Sequence, residues 1–455
     1  MSDGSAERAE AERAKAERAK AERAEAERAR AERAEAEWFR AARFGLFVHF
    51  GLYSLAARHE WVRSREAMSD ADYDRYLERF DPDLFDAAAL ARAAREAGMR
   101  YAVLTAKHHD GFCLFGSALT DYTSVRAAGR DLVAEFAEAM RAEGLRVGLY
   151  YSLLDWRHPD FTIDRYHPLR DSVPPEESVP PEEAERRDMA RYRAYLHGQV
   201  RELLTGYGPI DLLFFDFTYP DKGPAEWGAA ELMAMVRELS PGIVVNDRLG
   251  IPGDYVTPEQ YQPDAPLTRD GAQVMWEACH TLNGSWGYDR DNHDYKSPDL
   301  LVRMLVQSVA CGGNLLLNVG PTGRGALDPR AAETLRAIGA WTSLHGRAVH
   351  GAGPSAYEPP PNALYTQRGD RLYLHLLSWP LKHVHLPGLA GRVRYAQLLH
   401  DGSEVGMREL DGGEHEHNNL APPGREPGTL TLTLPVVRPD VLLPVVELVL
   451  RGEGP

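Results

Sequence analysis

The sequence predicts an α/β fold: a (β/α)8 (TIM-like) barrel followed by a C-terminal antiparallel β-sandwich. Three features of its 455 residues carry the prediction. Between residues 38 and 345, short apolar runs alternate with amphipathic segments, as in strand–helix units that build a parallel sheet. Eight such runs fit into about 310 residues, an ordinary size for a decorated barrel. From 346 to 455 the helical spacing gives way to short alternating β-rich runs divided by Gly, Pro, Asn and Asp, the pattern of a small sandwich.

Residues 1 to 37 form a separate extension, in which 6 to 36 repeat a five-residue unit of Ala, Glu, Arg and Lys. These are strong helix formers, and the three- and four-residue charge spacings permit ion pairs of about 0.3 kcal/mol each. With no apolar stripe, the segment predicts a solvated charged helix and no coiled-coil seam. The barrel region then reads as the strand FGLFVHF (44–50), a helix over 85–98, the strand YAVLTAKHH (101–109), a helix over 131–144 and the strand RVGLYYS (146–152). A Pro-rich excursion around 168–182 precedes a helix over 184–207. There follow the strand DLLFFDF (211–217), a helix over 225–239, the strand GIVVNDR (242–248) and a short strand near 254. The strand VMWEAC (274–279), a helix over 300–310, the strand GNLLLNVG (313–320) and a helix over 328–345 complete the barrel. An open doubly wound sheet is the alternative, weakened because no G-x-G-x-x-G follows the first strand. The sandwich strands are ALYTQ, RLYLHLLS, HVHLP, RVRYAQLL, TLTLTL and VELVL.

Composition narrows the function. A formal charge of −16, from 68 acidic and 52 basic side chains, repels a phosphate backbone and an anionic membrane alike. No run approaches the ~20 apolar residues of a membrane helix, and the first residues lack a signal-peptide core, so a cytoplasmic location is expected. The three cysteines, Cys113, Cys279 and Cys311, are widely spaced, which points to buried thiols and not to a disulfide framework.

In a barrel of this type the chemistry lies at the carboxyl ends of the strands, and polar residues collect there. His49 ends the first strand, His108, His109 and Asp110 the second, Tyr150 and Tyr151 the third, Asp216 the fourth, and Asn246, Asp247 and Arg248 the fifth. Asp216 lies in the apolar run LLFFDF, where an unpaired charge would cost several kcal/mol; Arg248 is the natural counter-cation. One use of the set is zinc binding by His49, His108, His109 and Asp216. Against it, the first strand offers a single histidine, and adjacent His108 and His109 on a strand point to opposite faces. The other use is a sugar site, for which Glu60, Trp61, Trp276, Glu277 and Trp286 supply flat faces and polar groups. Glycoside cleavage needs two carboxyl groups flanking the anomeric carbon. Asp216 is the first; Glu259, Glu277 and Asp254 are available for the second, with Glu259 ahead because Pro258 restrains its loop.

Ordered motifs then identify a relative. FGLFVHFGLYS (44–54), EW (60–61), YAVLTAKHHDGFCLF (101–115), TDYTSV (120–125), GLYYSLLDW (148–156), YGPIDLLFFD (207–216), VNDR (245–248), TPEQ (257–260), WE (276–277), SWGY (285–288) and GGNLLLNVGPTGRG (312–325) together resemble the retaining α-L-fucosidases of glycoside hydrolase family 29, over residues 38–350. The resemblance implies that Asp216 is the nucleophile and Glu259 the general acid and base. It implies that His49, Glu60, Trp61, His108, His109, Tyr150 and Arg248 hold fucose hydroxyls, and that Trp286 lies near the C5 methyl. Phe214 stands where relatives often carry Trp, a change that loosens one wall of the pocket. The implied reaction is exo-hydrolysis of terminal α-L-fucose from oligosaccharides or glycoconjugates, with no metal or other cofactor. It requires Glu259 to be protonated, through apolar surroundings or the charge of Asp216. A metal-dependent barrel hydrolase and a sugar-binding protein without catalysis are the rival readings; absence of paired metal histidines counts against the first, and presence of both carboxylates against the second.

Overall fold

The computed structural model describes residues 37–170, 187–409 and 427–452. All but Glu37 of the charged helix expected over 1–37, and most of the Pro-rich excursion, lie outside these residues. The parallel strands are β1 (Phe44–Val48), β2 (Tyr101–Lys107), β3 (Arg146–Ser152), β4 (Leu212–Asp216), β5 (Val244–Val245), β6 (Glu277–Thr281) and β7 (Asn314–Val319). They pair in the order β5-β4-β3-β2-β1-β7-β6. Residues 255–259 bridge the two open edges through the parallel pairs Asn246–Tyr255, Val256–Trp276 and Glu259–Cys279, which closes the ring. The strand expected near 254 is thus present only as bridges. Pro258 has no N–H to give to a ladder, although its carbonyl accepts from Cys279 at 3.0 Å.

Between the strands run α1 (Ala87–Glu96), α2 (Leu132–Ala142), α3 (Met189–Gly206), α4 (Ala229–Leu239), α5 (Pro298–Ala310) and α6 (Pro329–His345). Side-chain caps set the starts of α1, α2 and α5, Asp86 accepting from Ala89 N–H, Asp131 from Ala134 and Ser297 from Leu300. The single helix expected over 225–239 is broken at Gly228, whose φ of +58° suits glycine and interrupts the α geometry. The first two strands stop before their histidines, at Val48 and Lys107, so those side chains belong to loops. The run at 274–279 becomes a strand three residues later, in the register that pairs Glu277 with Asn314.

Alternation along the strands divides two cores. Leu46, Val48, Leu104, Leu149, Leu213 and Leu317 face the helices, whereas Phe47, Val103, Tyr150, Phe214 and Leu316 fill the barrel. A short helix, Glu37–Ala42, closes the bottom with Phe39 against Tyr101 and Tyr255. The sandwich comprises β8 (Ala363–Arg368), β9 (Arg371–Leu376), β10 (His383–Leu386), β11 (Val393–Leu398), β12 (Gly406–Glu409), β13 (Leu430–Thr433) and β14 (Val445–Leu450). Its sheets, β8-β9-β14-β11 and β10-β13-β12, are antiparallel and share one apolar core. In β9, Leu372, Leu374 and Leu376 enter that core, while Tyr373 turns to the barrel side. Trp341 of α6 anchors the two units by donating its indole N–H to Leu443 O at 2.8 Å.

Candidate active site

The carboxyl ends of the strands surround a small cavity lined by the three histidines, Asp216, Arg248 and Glu259 and walled by aromatic rings. Asp216 enters it because β4 alternates: Leu212, Phe214 and Asp216 share the inward face. Its side chain is only 17% exposed. It accepts from the Tyr150 hydroxyl at 2.9 Å and from Arg248 Nη1 at 3.3 Å. Burial raises its pKa to about 6, opposed by the Arg248 charge and the Tyr150 hydroxyl and reinforced by the charge of Glu259.

Glu259 reaches the same guanidinium from the other side, accepting from Arg248 Nη2 at 2.9 Å. One cation therefore bridges the two carboxylates, which places both on one rim within reach of one sugar. Of the two surroundings expected for Glu259, apolar shielding and the charge of Asp216, the first is lacking, since its side chain is 40% exposed.

Three histidines make up the floor. His49 Nδ1 is 2.7 Å from Asn318 Oδ1, and His109 Nδ1 is 2.7 Å from Ser152 Oγ. His109 Nε2 stands 4.0 Å from Asp216 Oδ2. His108 stacks on Tyr150 at 5.4 Å. Burial pushes His49 down to about 3 and holds His108 and His109 well below the usual imidazole range, so all three are neutral. The opposed directions expected for His108 and His109 are not found. Both line the cavity with ring centroids 4.1 Å apart, because the strand ends at Lys107. Lys107 turns away instead, fully buried against Asp155 at 3.1 Å and over the Tyr151 ring. Among the described residues no group of three or more His, Cys, Asp or Glu is placed to hold a metal ion.

Aromatic rings form the walls. Trp61 packs on His109 at 4.9 Å and Trp286 on His49 at 5.2 Å. Phe214 is 2% exposed and packs against Phe47 at 5.1 Å and Tyr150 at 5.8 Å. Glu60 does not line the cavity. It is turned beneath the 284–288 loop, where its carboxylate accepts the N–H groups of Trp286 at 3.1 Å and Gly287 at 2.8 Å. Three lining residues, Phe47, Phe217 and Cys279, escaped the sequence reading. Phe47 and Cys279 lie on inward faces of β1 and β6, so strand parity could have found them. Phe217 could not be foreseen: it directly follows Asp216 with a φ of +83°, a costly conformation for an aromatic residue.

Three other candidates lie elsewhere. Asp254 is held by both oxygens to Arg237 at 2.8 and 2.6 Å. Trp276 is 1% exposed and donates to Cys311 O at 3.3 Å, within the shell between barrel and α5. Glu277 is two residues below Cys279 on the inward face of β6, at the barrel floor.

Known proteins resemble this chain over most of its length. The α-L-fucosidase family model matches residues 10–347. Tissue α-L-fucosidase of Bos taurus is 31% identical over 376 residues, covering 75% of each chain. Among solved structures, α-L-fucosidase isoenzyme 1 from Paenibacillus thiaminolyticus is 44% identical with a TM-score of 0.86, over 93% of this chain and all of that one. A family 29 α-L-fucosidase from Bacteroides thetaiotaomicron, trapped as a covalent intermediate with 2-fluoro-fucosyl fluoride, is 26% identical with a TM-score of 0.79, over 92% of this chain and 96% of that one. The chain belongs to the α-L-fucosidase family of glycoside hydrolases, family 29.

Proposed function

We propose that this α-L-fucosidase removes terminal α-L-fucose from fucosylated oligosaccharides or glycoconjugates with retention of configuration, through a covalent fucosyl-enzyme. The observation that carries the reading is the pair Asp216 and Glu259, joined by Arg248 above a floor of neutral histidines. Asp216 attacks the anomeric carbon while Glu259 protonates the departing glycosidic oxygen. Water, deprotonated by Glu259, then displaces Asp216. A carboxyl that donates a proton cannot also be the ionised partner of a guanidinium, so sugar entry has to loosen the Arg248–Glu259 contact. His49, His108, His109 and Tyr150 meet the ring hydroxyls from below, Trp61 and Trp286 cover the apolar edges, and Glu60 fixes the loop bearing Trp286. The trapped covalent intermediate of the Bacteroides relative supports the two-step course.

The test is turnover of an aryl α-L-fucoside by the purified protein, with aryl galactosides as controls and proton NMR of the first sugar released. Release of α-L-fucose is expected. The β-anomer as first product would exclude double displacement, and turnover abolished by chelator would move the chemistry to a metal.

A further inference from the structure

His49 and His109 each turn Nδ1 to the protein and leave Nε2 to the cavity, and the groups around Nδ1 decide which nitrogen carries the proton. Beside His49, the Asn318 amide nitrogen donates to Trp286 O at 2.7 Å. A carbonyl oxygen only accepts, so the amide has one orientation, and its Oδ1 faces His49 Nδ1 at 2.7 Å. That oxygen also only accepts, so His49 Nδ1 is the donor. Beside His109, Ser152 Oγ accepts from Leu154 N–H at 3.0 Å and donates to Leu154 O at 2.9 Å. A hydroxyl has one proton. Leu154 is fully buried, and among the described residues its carbonyl has no other donor, so turning the hydroxyl toward His109 would strand it. Ser152 therefore receives a hydrogen bond from His109 Nδ1–H.

We infer that Asn318 and Ser152 are positioning residues that lock His49 and His109 as Nδ1–H tautomers, so that the floor of the pocket offers two Nε2 lone pairs to which sugar hydroxyls must donate. The hydroxyl contacts rest on the fucosidase reading above; the tautomers do not. The lock has a second effect at His109. With no proton on Nε2, the ring turns a lone pair and not an N–H toward Asp216, whose Oδ2 lies 4.0 Å away, beyond hydrogen-bond distance.

The experiment is a two-bond proton–nitrogen spectrum of the whole protein labelled with ¹⁵N-histidine, which distinguishes the two neutral tautomers. His49→Gln and His109→Gln identify the signals by their loss. The Nδ1–H pattern is expected at both rings. In Ser152→Ala, His109 should shift toward the Nε2–H form and kcat/KM on an aryl α-L-fucoside should fall about tenfold, and Ser152→Thr, which keeps the hydroxyl, should restore both. An Nε2–H pattern at either ring of the wild-type protein overturns the inference, even where Ser152→Ala does not fold. So does an activity loss in Ser152→Ala with the tautomer unchanged. Wild-type protein with the Nδ1–H pattern but no turnover would count against the fucosidase reading and leave the lock standing.

Discussion

Two carboxyl groups occupy inward positions of the same barrel, Asp216 at the rim and Glu277 at the floor, and their surroundings differ in kind. Asp216 is held by Arg248 and opens onto a cavity; burial and the neighbouring Glu259 raise it to about 6, leaving it ionised at neutral pH. Glu277 is fully buried; Tyr101 donates to it, Tyr255 is its other polar neighbour, and Phe39 closes the layer beneath. With no cation bonded to it among the described residues, burial pushes it up to about 8, so it is protonated at neutral pH. Burial alone therefore does not make a reactive carboxylate. Of these two carboxyl groups, Asp216 alone has both a counter-charge and an opening beside it.

The contrast breaks most directly through paired substitutions. Asp216→Gly should lower turnover about 10⁴-fold with the unfolding temperature little changed, and azide should restore part of the rate; Glu277→Gln should leave kcat nearly intact. Equal losses in the two variants would erase the distinction between rim and floor. In the wild type, kcat/KM should decline as pH falls through about 6, where Asp216 takes up a proton and can no longer attack. Next in size, Glu259→Gln should slow substrates with poor leaving groups by about 10² to 10⁴ and activated aryl fucosides far less. An equal loss on both classes would remove it as the proton donor.

A third measurement sharpens the floor. The folded chain keeps the Glu277 proton up to about pH 8, whereas a free carboxyl releases it near 4.5. The folded state therefore binds more protons across that window, and stability falls as pH rises through it, then levels off. At about 1.4 kcal/mol per pKa unit, the effect is several kcal/mol, visible in urea midpoints at pH 5 and pH 8. Glu277→Gln should flatten the slope. The smallest effect belongs to Glu277→Leu, which strands the Tyr101 hydroxyl and should cost about 1–3 kcal/mol of stability at pH 7 without touching the pocket.

Much of this arrangement was legible along the chain. RVGLYYS became β3 without change of bounds, and Asp86, Asp131 and Ser297 mark helix starts by the side chains that cap them. Asp216 was visible as a charge in an apolar run, and the motif resemblance singled out Glu259. Less legible were features that depend on what a strand meets. Trp276 and Glu277 read as site residues because they lie beside each other in a strand-like run; pairing with β7 turned one into the outer shell and the other to the floor. Opposite faces for His108 and His109 would require the strand to continue through them, whereas it ends at Lys107.

The sequence by itself determined the repeating strand–helix plan, the change to a sandwich and the residues equipped for acid, base and nucleophilic chemistry, because these follow from local periodicity and side-chain type. Tertiary structure alone decided the height of each inward residue in the barrel and the company it keeps. That is why Arg248 joins two carboxylates distant in sequence, why Glu60 secures a loop and does not line the cavity, and why Glu277 remains protonated. The reason is that burial, pairing and charge act through space, and only the closed ring of strands brings those groups within a few ångströms of one another.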